Sequence, residues 1–192
     1  MEKIRFGIVG IGMMGRMHAT SLQRNPHAEV VAVCARTESK VKAFQEEFGV
    51  PYGYTNVDEL VNNPEVDAIV VATGADAHKA PCLAACKAKK HIFCEKPLAP
   101  EADACKRIVE AEMAAGKQLV QVGFMRRYDP GYNQLKKAID SGKYGLPLML
   151  HCVHRNYDAP GFTTSMPVEN SMIHEIDAVS YTHLRAHETL SD

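Results

Sequence analysis

The chain has 192 residues, 46% hydrophobic and 23% charged, a globular composition that excludes a disordered or fibrous protein. Twenty-two Lys and Arg against 23 Asp and Glu leave a net charge of −1, which excludes the basic footprint of a nucleic-acid binder or polybasic membrane anchor. Met1 runs into a charged, strand-like segment and no apolar run is long enough to span a bilayer, so a cytoplasmic protein with no membrane partner is expected. In chain order, Ile4–Val9 reads as a strand, 14–23 as a helix and 29–34 as a β-branched strand. A helix over 39–48 is stopped by Gly49, and Asn56 caps a short helix through Val61. The most apolar strand, 68–72, suits a central parallel position. A helix over 77–88 leads to a strand at His91–Cys94, and a helix over 101–115 ends at Gly116 before a strand at 118–122.

Repeated βα units imply a parallel sheet covered by helices on both faces, an α/β Rossmann domain spanning 1–122. From Gly123 the character changes. A helix over 129–141, a strand over 146–155, a loop over 156–169 and a helix from about Asn170 read as the truncated start of a second α/β open-sheet domain, 123–178. The six cysteines include no CxxC pair, and reduced thiols buried as small hydrophobes are expected rather than a metal site or disulfides.

Gly10-Ile11-Gly12-Met13-Met14-Gly15 closes the first strand and opens the first helix. The first glycine permits the tight turn, the second lets the backbone approach a pyrophosphate, and the third lets helix and strand pack closely. Lying within the first βαβ unit, the motif predicts dinucleotide binding, with Met13 and Met14 against the cofactor. NAD-selective proteins end the second strand in an acid that holds the adenosine ribose. Here that place reads Cys34-Ala35-Arg36-Thr37, without one. Ala35 leaves no charge to repel a 2′-phosphate, and Arg36, Thr37 and Lys40 could bind one; alternatively Arg36 stacks on adenine or lies in solvent. The expected cofactor is NAD or NADP, leaning to NADP or dual use.

Cys94-Glu95-Lys96-Pro97 closes the fourth predicted strand. Ligands of open α/β sheets sit beyond the carboxyl ends of strands, which places Lys96 well, and Pro97 restricts its backbone and is a candidate cis residue. A lysine beside an oxidised nicotinamide meets a second positive charge, which lowers its pKa and suits it to proton handling. Thr73, after the third predicted strand, is near the cofactor by topology. His18 and His78 read as packing or capping residues.

GxGxxG, then Glu95-Lys96-Pro97, then Gly123-Phe124-Met125-Arg126-Arg127-Tyr128-Asp129, then His174-Glu175-Ile176-Asp177 resembles the Gfo/Idh/MocA oxidoreductases, and within them the inositol dehydrogenase branch. The runs LVQVGFMRRYD (119–129) and LMLHCVHRN (148–156) are the most specific part of the likeness. The resemblance implies oxidation of a cyclitol, myo-inositol to its 2-keto form, by hydride transfer to nicotinamide, with a related sugar dehydrogenase or reductase as the alternative. It implies that Glu95 and Lys96 lie at the cofactor, that Lys96 also bonds the reacting hydroxyl, and that His174 is the general base. Arg126, His154, Asn156 and Asp177 would bind the polyol. Apart from the resemblance, His154 reads as a structural strand histidine and Asp177 as a helix-face carboxylate. Such enzymes carry an aspartate four residues before the histidine; Asn170 stands there, able to orient the ring but not to supply charge. The family also implies a homo-oligomer, a tetramer assembled through the second sheet.

After Asp177 the apolar stripe of a continuing helix is absent. Residues 179–192 are similar to a translated sequencing-library adapter and read as non-native, so His183 and His187 are not taken as metal ligands despite their i, i+4 spacing. On that reading the chain itself binds cofactor without turnover.

Overall fold

Eleven elements build the first of two compact units, Met1–Gly123: β1 (Ile4–Val9), α1 (Met13–Gln23), β2 (Ala28–Cys34), α2 (Glu38–Phe48), β3 (Tyr52–Tyr54), α3 (Val57–Asn62), β4 (Ala68–Val71), α4 (Lys79–Lys87), β5 (His91–Cys94), α5 (Ala102–Ala115) and β6 (Val120–Val122). The computed structural model describes residues 2–155 and 167–183, with the side chains of Glu169, Asn170 and His183 outside the description. All strand pairings are parallel, in the order β3-β2-β1-β4-β5-β6. This is the Rossmann order. Its direction reverses between β1 and β4, and the crevice beyond their carboxyl ends is where such sheets take ligands.

Alternation along the buried strands, interrupted in β2 by a register slip at Val31, divides the core into two layers. Val9, Val31, Ile69 and Val71 face one way with Leu60, Cys82, Cys86 and Ile108. Ile8, Val30, Val33 and Val70 face the other with Ala19 and Phe44. Cys34 and Cys94 are buried in the first layer too, packed as small hydrophobes. Helix ends follow local chemistry. Gly49 and Gly116 end α2 and α5 with left-handed φ of 65° and 77°. The Asn56 side chain accepts the Asp58 N–H at 2.9 Å at the start of α3.

Two details of the sheet differ from the expectation. The three-residue edge strand β3 was not predicted; short and centred on Gly53, it carries no alternating apolar signal, yet it pairs with Ala32–Cys34 of β2. β6 begins at Val120 rather than at residue 118, and the N–H groups of Leu119 and Val120 donate to Glu112 Oε1 at 2.7 and 2.6 Å.

The second unit, Phe124–Asp192, is described by itself. A 3₁₀ turn, Met125–Tyr128, precedes α6 (Pro130–Asp140), whose N-terminus is capped by Asp129 Oδ1 accepting from Gly131 N and Tyr132 N at 2.8 and 3.1 Å. The strand expected over 146–155 does not form. A strand exists only through a ladder partner, this segment has none among the described residues, and Leu146, Leu148 and Met149 are exposed. The helix expected from about Asn170 starts earlier, as a π-helical turn over Pro167–Met172 that runs into α7 (Ile173–His183). A proline suits that first turn because its missing N–H would have no partner there. α7 crosses the boundary set at 178 without a break. Asn156, the remainder of the expected loop up to 166, and residues 184–192 lie outside the described residues. No helix among the described residues is long and apolar enough to cross a membrane.

Candidate active site

The glycine loop occupies the topological switch point. Gly10 has φ +98°, and a Cβ on it would lie 2.6–2.7 Å from the backbone of Ala72 and Thr73, so β1 and β4 can approach only because the side chain is absent. A Cβ on Gly15 would collide with the Gly10 carbonyl, which ties α1 closely to the loop. Gly12 is different. A Cβ there would meet nothing within 4 Å, and the residue caps α1 with open space in front of the helix N-terminus. Unpaired N–H groups and the positive end of the helix dipole face that space, a ready site for a pyrophosphate.

The space belongs to a cleft of about 700 Å³. Gly10, Gly12, Met13 and Met14 line it at the loop, Ala35, Arg36, Thr37 and Lys40 at the end of β2, and Thr73 at the end of β4. Sequence reasoning missed Thr55 and Val57, which also line it. They follow β3, so the missed strand hid its own contribution. The dinucleotide that the motif implies fits this set: glycines leave the backbone bare, an N-terminal turn faces the opening, and no acid lines the end of β2. Gly15, Glu95 and Lys96 are not among the lining residues.

Lys96 follows β5, and the Lys96–Pro97 peptide is cis. Burial holds the half-buried Lys96 ammonium below the ordinary lysine range, with the Glu95 charge opposing. Glu95 Oε1 lies 2.8 Å from His18 Nε2 on α1, and Glu95 Oε2 accepts the Lys96 N–H at 3.2 Å. Burial pushes the Glu95 carboxyl up, but His18 and the Lys96 backbone outweigh it and hold the group below its usual range. His78 is almost wholly buried, with Nδ1 2.8 Å from the Pro97 carbonyl oxygen and Nε2 3.1 Å from that of Thr73.

In the second unit, His174 is buried near the start of α7. Its neighbour Glu175 organises two expected polyol ligands. Glu175 Oε1 pairs with Arg126 Nη2 at 2.8 Å and Oε2 lies 3.1 Å from His154 Nδ1. Arg126 also stacks over Tyr132, and its Nε is buried with no hydrogen-bond partner among the described residues. Asp177 is buried and held by Arg127, which donates from Nε and Nη2 at 2.6–3.1 Å. Neither Glu175 nor Arg127 stood out in the sequence, because the pairings join residues about fifty positions apart.

The family described as "Oxidoreductase family, NAD-binding Rossmann fold" matches residues 4–124. The chain belongs to the Gfo/Idh/MocA oxidoreductases. Curated relatives within that family include the inositol 2-dehydrogenase/D-chiro-inositol 3-dehydrogenase of Shouchella clausii, 44% identical over 95% of this chain and 55% of the relative. The inositol 2-dehydrogenase of Salmonella typhimurium is 41% identical over 93% of this chain and 54% of its own length. Among solved structures, the Lactobacillus casei myo-inositol dehydrogenase in complex with NAD(H) and myo-inositol superposes with a TM-score of 0.85. It is 35% identical and covers 94% of this chain and 54% of that one. The L. casei scyllo-inositol dehydrogenase, with NAD(H) and scyllo-inositol, gives 0.70 at 29% identity, covering 76% of this chain and 43% of that one. This Gfo/Idh/MocA chain thus spans about half the length of the relatives it matches. The lean to NADP drawn from Ala35-Arg36-Thr37 finds no support in these two structures, both of which hold NAD(H).

Proposed function

We propose that this sequence serves NAD(H)-dependent oxidation of a cyclitol, with myo-inositol as the first candidate. The observation that carries the reading is the 41–44% identity to inositol dehydrogenases across almost the whole chain, including the segments that hold Lys96, Arg126, His154 and His174. In this reading Gly10, Gly12 and the first turn of α1 hold the pyrophosphate, Ala35, Arg36 and Thr37 face the adenosine ribose, and Glu95 and Lys96 serve the nicotinamide end. Bound NAD⁺ would supply the hydride acceptor. The alcohol carbon gives up a hydride while its hydroxyl gives up a proton, and C–O becomes C=O. His174 takes that proton, and Lys96, with an ammonium destabilised by burial, bonds the hydroxyl oxygen and shares in moving the proton. Asn170 orients His174 without adding charge. Arg126, His154, Asn156 and Asp177 read the ring hydroxyls; a polyol lacking one would leave a buried polar group unpaired.

The Ala35-Arg36-Thr37 end gives NADP(H) a foothold as a second cofactor, although the two L. casei structures hold NAD(H). Homo-oligomerisation through a second sheet belongs to the same reading. The test is absorbance at 340 nm when NAD⁺ is mixed with the chain and myo-inositol, scyllo-inositol, D-chiro-inositol or glucose. Reduction led by myo-inositol, and lowered about 10²–10⁴-fold by Lys96→Met, is expected. Preference for glucose would favour the sugar-oxidoreductase alternative, and cofactor binding without turnover would assign the chain the cofactor step alone.

A further inference from the structure

Lys96 stands between two residues that are each gripped by a histidine from a different element. On one side, His18 Nε2 meets the Glu95 carboxylate at 2.8 Å. On the other, His78 Nδ1 meets the Pro97 carbonyl at 2.8 Å. Both histidines reach back to the cleft. His18 lies on α1 one turn beyond Met14, which lines the cleft, and its ring packs edge-on against Phe93 of β5 at 5.2 Å. The second nitrogen of His78 meets the carbonyl of Thr73, another lining residue, at 3.1 Å.

We propose that His18 and His78 are positioning residues for Lys96, fixing the residues before and after it and tying them to the two segments that line the dinucleotide cleft. A general acid or base must be held close to its productive geometry, and a lysine on four rotatable bonds gains that only from a fixed backbone and a restricted surround. His18 does this through a side chain and a helix, His78 through two main-chain carbonyls. Nothing about the function of Lys96 as an isolated residue requires either histidine. The pair makes the approach of the lysine depend on the same elements that hold the cofactor. The proposal rests on the reading of the cleft as a dinucleotide site, but its test does not need turnover.

The test follows acetylation of Lys96 against pH by mass spectrometry, in the parent chain and in His18→Ala, His18→Gln and His78→Ala. In the parent, Lys96 should reach half-maximal reactivity at lower pH than the exposed lysines. Loosening its neighbours lets the ammonium meet water, so His18→Ala and His78→Ala should move that midpoint up by about one pH unit. His18→Gln, which can still donate to Glu95, should restore much of the difference. Asp67→Asn, which breaks the brace to Arg5 at the amino end of the sheet, opposite the loop, serves as the control for general destabilisation. Should His78→Ala fail to fold, the His18 pair decides alone, since His18 is partly exposed. A midpoint unchanged in the folded histidine variants, or moved equally by Asp67→Asn, overturns the proposal. Calorimetric titration with NADH reports separately on the cleft, so failure of the dinucleotide reading is seen as lost binding with the Lys96 profile still legible.

Discussion

His18 Nε2 and Glu95 Oε1 are 2.8 Å apart, so the helix that opens on the glycine loop and the strand end that carries Lys96 are joined by one hydrogen bond. The two motifs lie some eighty residues apart in sequence, and both close strands of the same parallel sheet. The strands run parallel with β4 between them, so both carboxyl ends lie at the same end of the sheet, and His18 joins the two segments there.

Gly10→Ala should destabilise the fold. Its φ of +98° costs an L-residue about 1–3 kcal/mol, and the added Cβ meets the backbone of Ala72 and Thr73, which cannot swing aside. A lower melting temperature, by calorimetry or circular dichroism, is the expected result; an unchanged one would mean the loop relaxes freely.

Ala35→Asp should sharpen cofactor choice. Ala35 lines the cleft at the end of β2, the place from which an acid bonds the ribose and repels a 2′-phosphate. The ratio of NADP(H) to NAD(H) affinity should fall at least about tenfold, equivalent to about 1.4 kcal/mol. Titration with both cofactors checks it, and an unchanged ratio would place the adenosine ribose elsewhere.

The brace between Arg5 and Asp67 sets an acid limit on stability. Arg5 Nε and Nη2 donate to the Asp67 carboxylate at 2.9 and 2.8 Å, joining β1 to the residue before β4. Hydrogen bonding from the Arg5 side chain, opposed by burial and helped by the Arg5 backbone N–H, holds Asp67 down to about 2, against 3.8 ordinarily. A folded value below the unfolded one gives stability that is fully present above about pH 4 and is lost as pH falls through about 2. Partial exposure and solvent screening keep the contribution modest. Asp67→Asn should therefore lower the urea midpoint at pH 7, and the gap to the parent should narrow towards pH 2. A gap that is constant with pH would show that the brace does not act through charge.

Most of the first unit was legible because its signals are local. Gly49, Asn56 and Gly116 mark helix ends where their own backbone chemistry demands it, and the GxGxxG loop is contiguous. What escaped depends on partners distant in sequence. β3 is a strand only because β2 lies beside it, whereas the apolar run over 146–155 has no ladder partner among the described residues. His18 and His78 read as packing because nothing near them in sequence names Glu95 or the Pro97 carbonyl. Glu175 was passed over between His174 and Asp177, although it holds both Arg126 and His154.

The most direct measurement of the central claim is a titration with NADH of the parent chain and of Gly12→Val. The chain has no tryptophan, so nicotinamide fluorescence can be followed free of indole background, with calorimetry alongside. Gly12 has an ordinary φ of −69° and open space where its side chain would go, so valine should leave the melting temperature unchanged while filling the place assigned to the pyrophosphate. One saturable site in the parent, weakened at least about tenfold in the variant, is the predicted result. No binding to the parent, or equal binding to both, would contradict the account.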